Sequence, residues 1–470
     1  MSADPQLLIR PRIVPPLDPR FLPAVLFNNS YLSGVRAFED EARLQLGLVR
    51  PDGSVSSYET IVHKSPAEEA RSDSTFYAER LAKFLLWQRG ASRLLVAGPR
   101  YIGEHLAVTY SPSGDRAFDH RFMSQVYNTP FTVEIVDETE IPAEHEPTVP
   151  LGRHLEGCRI GFDLGASDFK VSAVIDGNPV YADEFPWLPR DQNNIEYHYG
   201  HITSGLRRAA EHLPRVDAIG GSSAGVWIDD RVRVASLFRG LSEEAFENEA
   251  TTLFSRIRDE WNVPLNVVND GEVTALAGSM SLGRNAVLGI AMGSSEAAGY
   301  VTTDGNITRW LNELAFAPID YQSAAPADEW SGDVGCGVQY FCQTGVIRLA
   351  EQVGISLNES ATRAQKLRDI QDLLYEGDER IPQIYETIGV WLGYGLAHYA
   401  EFYDIAHVVV LGRVTSGAGG EIIVAKAKEV LATEFPNLAI ELHVPDERMK
   451  RIGQSVAAAS LPKLTPGGTT

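Results

Sequence analysis

Residues 42 to 62, ARLQLGLVRPDGSVSSYETIV, alternate apolar and polar positions on both sides of a Pro-Asp-Gly turn. That period of two predicts a hairpin with one face turned inward. The period then lengthens: Phe76, Leu81, Phe84, Leu85 and Trp87 recur at helical spacing across 76 to 89, and a strand follows from Arg93 to Pro99. Residues 118 to 137 repeat helix then strand, ending in FTVEIVD. Together these predict an α/β unit over residues 1–150, and the Pro- and Glu-rich stretch 138–151 predicts a linker. A degenerate copy of the α/β arrangement that follows residue 157 is one reading of this unit. The helix expected from Gln383 to Tyr403 carries Ile384, Ile388, Leu392 and Leu396 at four-residue spacing for core packing. Gly389, Gly393 and Gly395 on it predict close approach by another backbone, or by a ligand.

From residue 157 onward, apolar strands repeatedly run into small-residue turns. Arg159-Ile160-Gly161-Phe162 leads to Asp163, Leu164-Gly165-Ala166-Ser167 turn the chain, and a strand resumes at Lys170. Small residues let backbone N–H groups approach phosphate oxygens, Ser167 adds a hydroxyl donor, and Asp163 is suited to hold the water shell of Mg²⁺. Residues 216–228, VDAIGGSSAGVWI, give a strand and a Gly/Ser turn. Residues 265–283 give a strand that delivers Asn269-Asp270 into a helix. Leu288 onward gives a strand, the turn Gly293-Ser294-Ser295 and a second strand, and Val408 onward gives a strand, a Gly-rich turn from Gly412 to Gly419 and a helix.

This series resembles the ROK group of sugar kinases, within the superfold of actin, hexokinase and the heat-shock ATPases. The resemblance covers residues 157 to about 462 and implies an α/β, two-lobed actin-like (ribonuclease H-like) ATPase fold with an additional N-terminal α/β domain. Lobe 1 is expected over 157–280 together with a terminal helix at 446–462, and lobe 2 over 281–445. By the same resemblance, Asp270 is the general base that accepts a hydroxyl proton. Ser223, Gly225, Asn269 and Glu313 contact substrate, and Gly165, Ser167, Lys170, Gly293, Ser294, Ser295, Gly412 and Gly417 surround the nucleotide phosphates. ATP and Mg²⁺ are the implied cofactors, with Asp163 on the metal through water. The partner is a small-molecule sugar, and the family allows a homodimer. Asn269-Asp270 also reads as a helix N-cap, a role that leaves Asp270 free to face the cleft.

The departures from the family shift the expected substrate. Asn312-Glu313-Leu314-Ala315-Phe316 matches the family's Gly-Glu-x-Gly-His with Phe316 in place of the zinc-binding His, and only Cys336 and Cys342 remain of its clustered cysteines, so no zinc is expected. In Gly335-Cys336-Gly337-Val338, Val338 replaces a sugar-gripping Glu. Loss of an acceptor points to a deoxy sugar, an amino sugar or a cyclitol. A sugar-sensing or regulatory protein that keeps the cleft without turnover is the alternative. Two polar clusters are further candidates for the cleft: Tyr197-His198-Tyr199-Gly200-His201, expected in a loop, and Asp328 to Asp333, otherwise an acidic surface turn.

Charge narrows the partners. With 63 acidic and 41 basic residues the chain carries a formal charge of −22, which repels nucleic acid and anionic membrane. The early hairpin and the absence of a clustered Lys/Arg face also speak against an N-terminal DNA-binding helix-turn-helix. No stretch approaches membrane-spanning length, and three cysteines fit a reducing compartment, so a cytoplasmic protein is expected.

Overall fold

The computed structural model describes residues 10–37, 40–64, 67–148, 152–165, 168–445 and 447–464. In the N-terminal part, β1 (Glu41–Val49), β2 (Val55–His63), β3 (Arg93–Ala97) and β4 (Thr132–Ile135) form a sheet in the order β2-β1-β3-β4. The expected hairpin is present, paired from Glu41↔His63 to Val49↔Val55. Gly53 takes the positive φ that its tight turn requires.

Two further sheets carry the rest. β5 (Cys158–Leu164), β6 (Asp168–Ile175), β7 (Asn178–Pro186) and β8 (Ala218–Ser223) are followed by a two-stranded ribbon of β9 (Val226–Ile228) and β10 (Arg231–Val234), then by β11 (Leu265–Asn269). The five-stranded sheet runs β11-β8-β5-β6-β7, an antiparallel meander of β5, β6 and β7 flanked by β8 and β11 parallel to β5. In the second lobe β12 (Val287–Met292), β13 (Glu296–Val301), β14 (His407–Leu411) and β15 (Glu441–His443) run β13-β12-β14-β15. Here too an antiparallel hairpin is flanked by strands parallel to its first member. The third meander strand is reduced to the single bridge Val301↔Ile307.

The N-terminal sheet departs from this pattern. Its β1 meets β3 antiparallel, whereas β5 meets β8 and β12 meets β14 parallel. The reason is parity: only two strands precede the crossover helix Glu68–Arg89, so that helix returns the chain parallel to β2 and opposite to β1. A degenerate copy of a lobe is therefore not what the sheet topology gives.

The N-terminal unit also shares its core with lobe 2. One cluster of buried apolar side chains runs from Phe21, Phe27 and Leu44 through Phe84 and Trp87 to Tyr340, Trp391 and Val410. The helix Glu68–Arg89 explains this, because Tyr77, Leu81, Phe84, Leu85, Leu86 and Trp87 are all buried, filling more than one stripe. Such a helix must be covered on several sides. Residues 138–148 lie against the same unit, with Ile141 buried and Arg50 paired to Glu146 at 2.7 Å.

Small residues set the remaining contacts near the cleft. The terminal helix Glu447–Ala459 lies so close to the first sheet that a Cβ on Gly161 or Gly220 would overlap the carbonyl oxygen of Ser455 or Ala458. The glycines of the helix Ile381–Tyr399 face protein rather than ligand: Gly389 and Gly393 abut the helix Ala418–Glu434, and Gly395 abuts Phe341. Two sequence expectations are corrected. Tyr197 to His201 lie in the helix Ile195–Ala210, capped by Asn194, whose side chain accepts the Glu196 N–H at 2.9 Å. His198 is buried there, its Nε2 3.2 Å and 3.0 Å from the carbonyls of Pro189 and Leu237. The acidic turn from Asp328 to Asp333 is at the surface only in part, with Glu329, Trp330 and Gly332 exposed but Asp328 and Asp333 buried.

Candidate active site

Parallel strands direct their C-terminal ends to one edge of a sheet, where side chains of successive strands meet. β5, β8 and β11 do so here, bringing Asp163, Ser222 and Ser223, and Asn269-Asp270 together. Asp163 and Ser222 are register partners, and the Ser222 hydroxyl donates to Asp163 Oδ1 at 2.6 Å. Burial raises the Asp163 carboxyl above its ordinary range, against the opposing pull of Lys170 and of the Ser222 bond. Lys170 is its antiparallel partner across the β5–β6 pair.

Asn269 performs two tasks with one amide. Its Oδ1 accepts the Gly271 N–H at 2.7 Å and so caps the helix Asp270–Leu282. Its Nδ2 donates to the Gly225 carbonyl at 2.7 Å and to Glu313 Oε1 at 3.3 Å. Asp270 opens that helix on backbone set close to β13, where Gly271 and Gly299 leave no room for a Cβ. Desolvation in the cleft, with the negative charge of Asp163 second, pushes its carboxyl up to about 7, against the Gly271 N–H that it accepts at 3.0 Å. Glu313 is pushed up to about 8 by burial first and by Asp270 second. Acidic groups held partly protonated near neutral pH are the environment a general base needs.

Glu313 is held from the N-terminal unit. The last turn of the helix Glu68–Arg89 leaves carbonyls without intrahelical donors, and the Asn312 and Glu313 N–H groups donate to Gln88 O at 2.8 Å and Trp87 O at 3.0 Å. Asn312 takes a left-handed φ of 50°, accepts the Tyr403 hydroxyl at 2.7 Å and donates to Glu272. Phe316 stacks on Trp87 with ring centroids 4.3 Å apart. Cys336 lies beside a buried ion network: Lys83 Nζ is 3.1 Å from Asp119 and 2.9 Å from Asp333, which Arg80 and Arg116 also contact.

The expected phosphate loops sit at the sheet ends. Gly165 is held by its N–H to Asp168 O at 3.0 Å and by Trp187, whose indole donates to its carbonyl at 2.9 Å. Ser167 lies outside the described residues. Ser294 and Ser295 are exposed, and the Gly293 N–H donates to Ser295 O at 3.0 Å. Gly412 and Gly417 both take positive φ, Gly412 packing where a Cβ would strike the Met292 carbonyl. Ser223 is fully buried, its hydroxyl 3.4 Å from the Ala224 carbonyl, so it faces packed protein rather than open cleft.

Three groups escaped the sequence reading. Ser222 was masked by its neighbour, since nothing local says which of two adjacent serines faces Asp163. Arg413, in the loop after β14, reaches Asp168 at the start of β6 at 3.0 Å and so links the lobes. Glu296, buried at the start of β13, accepts from Tyr399 at 3.5 Å and has its second oxygen unpartnered beside Gly337. Burial pushes it up to about 8.

No family model matches the chain, and no curated protein matches it. Solved structures do. A ROK family glucokinase from Streptomyces griseus, determined with glucose and AMPPNP, superposes with a TM-score of 0.52 at 19% identity, covering 65% of this chain and 99% of that one. A ROK family transcriptional regulator, described as a homologue of the E. coli MLC protein, gives 0.52 at 15% identity, covering 65% of this chain and 78% of that one. What is shared at these identities is the fold: the chain has the two-lobed, actin-like ATPase architecture of ROK proteins, as the residues from 157 onward suggested.

Proposed function

We propose that the protein transfers the γ-phosphoryl group of ATP to a hydroxyl of a sugar-like substrate, with Asp270 as general base. The observation that carries this is the convergence of Asp270, at about 7, with the hydrogen-bonded pair Asn269–Glu313. Asn269 and Glu313 would hold the acceptor's hydroxyls. Asp270 would take the proton of the attacking hydroxyl as the new oxygen–phosphorus bond forms and the bond to the ADP oxygen breaks. Asp163, an oxygen donor of the kind a hard cation prefers, would hold Mg²⁺ through its water shell, and the ion would supply charge neutralisation on the phosphates. Gly165, Lys170, Gly293, Ser294, Ser295, Gly412 and Gly417 would surround those phosphates. Most of the rate would come from positioning and fixed charge.

Val338 supports an acceptor other than a fully hydroxylated hexose, because a site that loses a hydrogen-bond acceptor changes which hydroxyls it rewards. Amino sugars, deoxy sugars and cyclitols are the classes to try. The regulatory reading draws on the similarity to a ROK transcriptional regulator, equal in TM-score to that with the glucokinase. ADP release from ATP and Mg²⁺ across a panel of these acceptors separates the two: the kinase reading requires turnover with at least one, and sugar binding without ADP release from any would replace it with the regulatory one.

A further inference from the structure

At the far end of lobe 2 from the phosphate loops, two imidazoles and a carboxylate converge. β15 joins the sheet through three register pairs with β14: His407↔Glu441, Val408↔Leu442 and Val409↔His443. Glu441 and His443, two residues apart on one strand, present to the same face, and His407 stands opposite Glu441. His407 Nδ1 is 3.2 Å from His443 Nε2 and 3.5 Å from Glu441 Oε2, and His443 Nε2 is 3.7 Å from the same carboxylate oxygen. Both histidines are partly buried, while Glu441 is exposed.

These separations carry information. Ligand atoms about 2.0–2.1 Å from a tetrahedral metal stand about 3.4 Å from one another. The three observed distances bracket that edge length, so the atoms outline one face of a tetrahedron. A plain imidazole–imidazole hydrogen bond would account for the 3.2 Å contact, but it does not require a carboxylate within reach of both rings. Among the described residues this is the one group of three such side chains so arranged. Two imidazoles with one carboxylate suit zinc and its first-row neighbours better than Mg²⁺ or Ca²⁺, which prefer oxygen.

We propose that His407, Glu441 and His443 bind one divalent transition-metal ion of the zinc class, leaving a fourth position open, and thereby clasp the edge strand β15 to β14. The site lies at the start of β14, whereas Gly412 follows its end, so the bound ion stands roughly 13–17 Å along the strand from the nucleotide loop. It is a structural clasp, apart from phosphoryl transfer, and it is independent of Cys336 and Cys342.

The full-length protein, stripped with a chelator and dialysed, is titrated with Zn²⁺ by calorimetry and with Co²⁺ by visible absorption. Wild type is expected to take one equivalent of Zn²⁺ and to give the intense cobalt bands of four-coordination. His407→Ala and His443→Ala should each weaken Zn²⁺ at least about tenfold, the loss that removal of even an outer-shell contact brings. His407→Gln, which keeps size and polarity, should show the same loss if the alanine variants fold poorly. ATP affinity should stay unchanged in all of them. No Zn²⁺ uptake by wild type, uptake that persists undiminished in both histidine variants, or the weak bands of six-coordinate cobalt would overturn the proposal.

Discussion

Replacing Trp87 by alanine should damage stability and sugar binding together, although the residue belongs to the N-terminal unit. Trp87 is fully buried, its ring 4.3 Å from Phe316 and 4.6 Å from Phe122, and its indole N–H donates to Asp119. Truncating a buried aromatic side chain costs about 3–5 kcal/mol, and the lost hydrogen bond to Asp119 adds about 1 kcal/mol. That is a large share of the roughly 5–15 kcal/mol that holds a typical domain folded. The functional arm follows from the Trp87 carbonyl, which accepts the Glu313 N–H at 3.0 Å. A cavity beneath Phe316 lets that turn shift, and misplacement by about 1 Å costs on the order of 10²-fold in catalytic efficiency. Trp87→Phe keeps a stacking ring and should be far milder on both counts. Denaturant melts at a fixed pH read the first effect, and kcat/KM, which includes sugar binding, at a temperature where all variants remain folded reads the second. The reasoning fails if Trp87→Ala lies within about 1 kcal/mol of wild type. It fails equally if a fragment from residue 152 folds alone and binds sugar as tightly as the full chain.

Other perturbations follow from the same geometry. Asp270, Glu272, Glu296 and Glu313 hold their protons to about 7–8 in the folded state, against ordinary values of 3.8 and 4.5. The folded ligand-free protein therefore binds more protons than the unfolded chain across that window, so its stability should fall as pH rises from about 5 to about 8. Glu313→Gln should flatten this dependence and raise stability at pH 8 while weakening sugar binding; stability that climbs steadily over the window in wild type would contradict the assignment. Lys83→Met leaves Asp119 and Asp333 facing each other in the core and should cost about 3–5 kcal/mol, partly recovered by adding Asp119→Asn; no recovery in the double variant would deny that the charges are coupled. Asp163→Asn should weaken Mg²⁺-dependent ATP binding as well as turnover, and unchanged ATP affinity would remove Asp163 from the metal.

Much of the site was legible because its chemistry is local. Asp163 and Asn269 lie at the ends of strands of clear apolar pattern and Asp270 opens the helix that follows the second, and a strand that runs straight into a turn or helix announces where its last side chains go. The hairpin at 42–62 was equally readable from its alternation. What escaped depended on pairing between distant segments: Ser222 rather than Ser223 faces Asp163 only because β8 lies beside β5 in one register. The helices Ala24–Ala37 and Arg100–Thr109 were missed, the first because AVLFNNSYLSGVRA mixes Asn, Ser and Gly into its turns and takes its partner from lobe 2. The N-terminal unit looked self-contained because nothing local reveals that Trp87 and Gln88 carbonyls receive the N–H groups of Glu313 and Asn312, more than two hundred residues away.

The central claim rests on Asp270 as a base rather than a helix residue. Asp270→Asn keeps size and hydrogen bonding but cannot take a proton. With the acceptor found by the panel, its kcat should drop on the order of 10²-fold or more while ATP and sugar affinities stay nearly unchanged. Wild-type kcat/KM should rise with pH through about 7, as the carboxyl of Asp270 ionises, and then level off. A variant that turns over at the wild-type rate, or one that simply fails to bind sugar, would contradict the account.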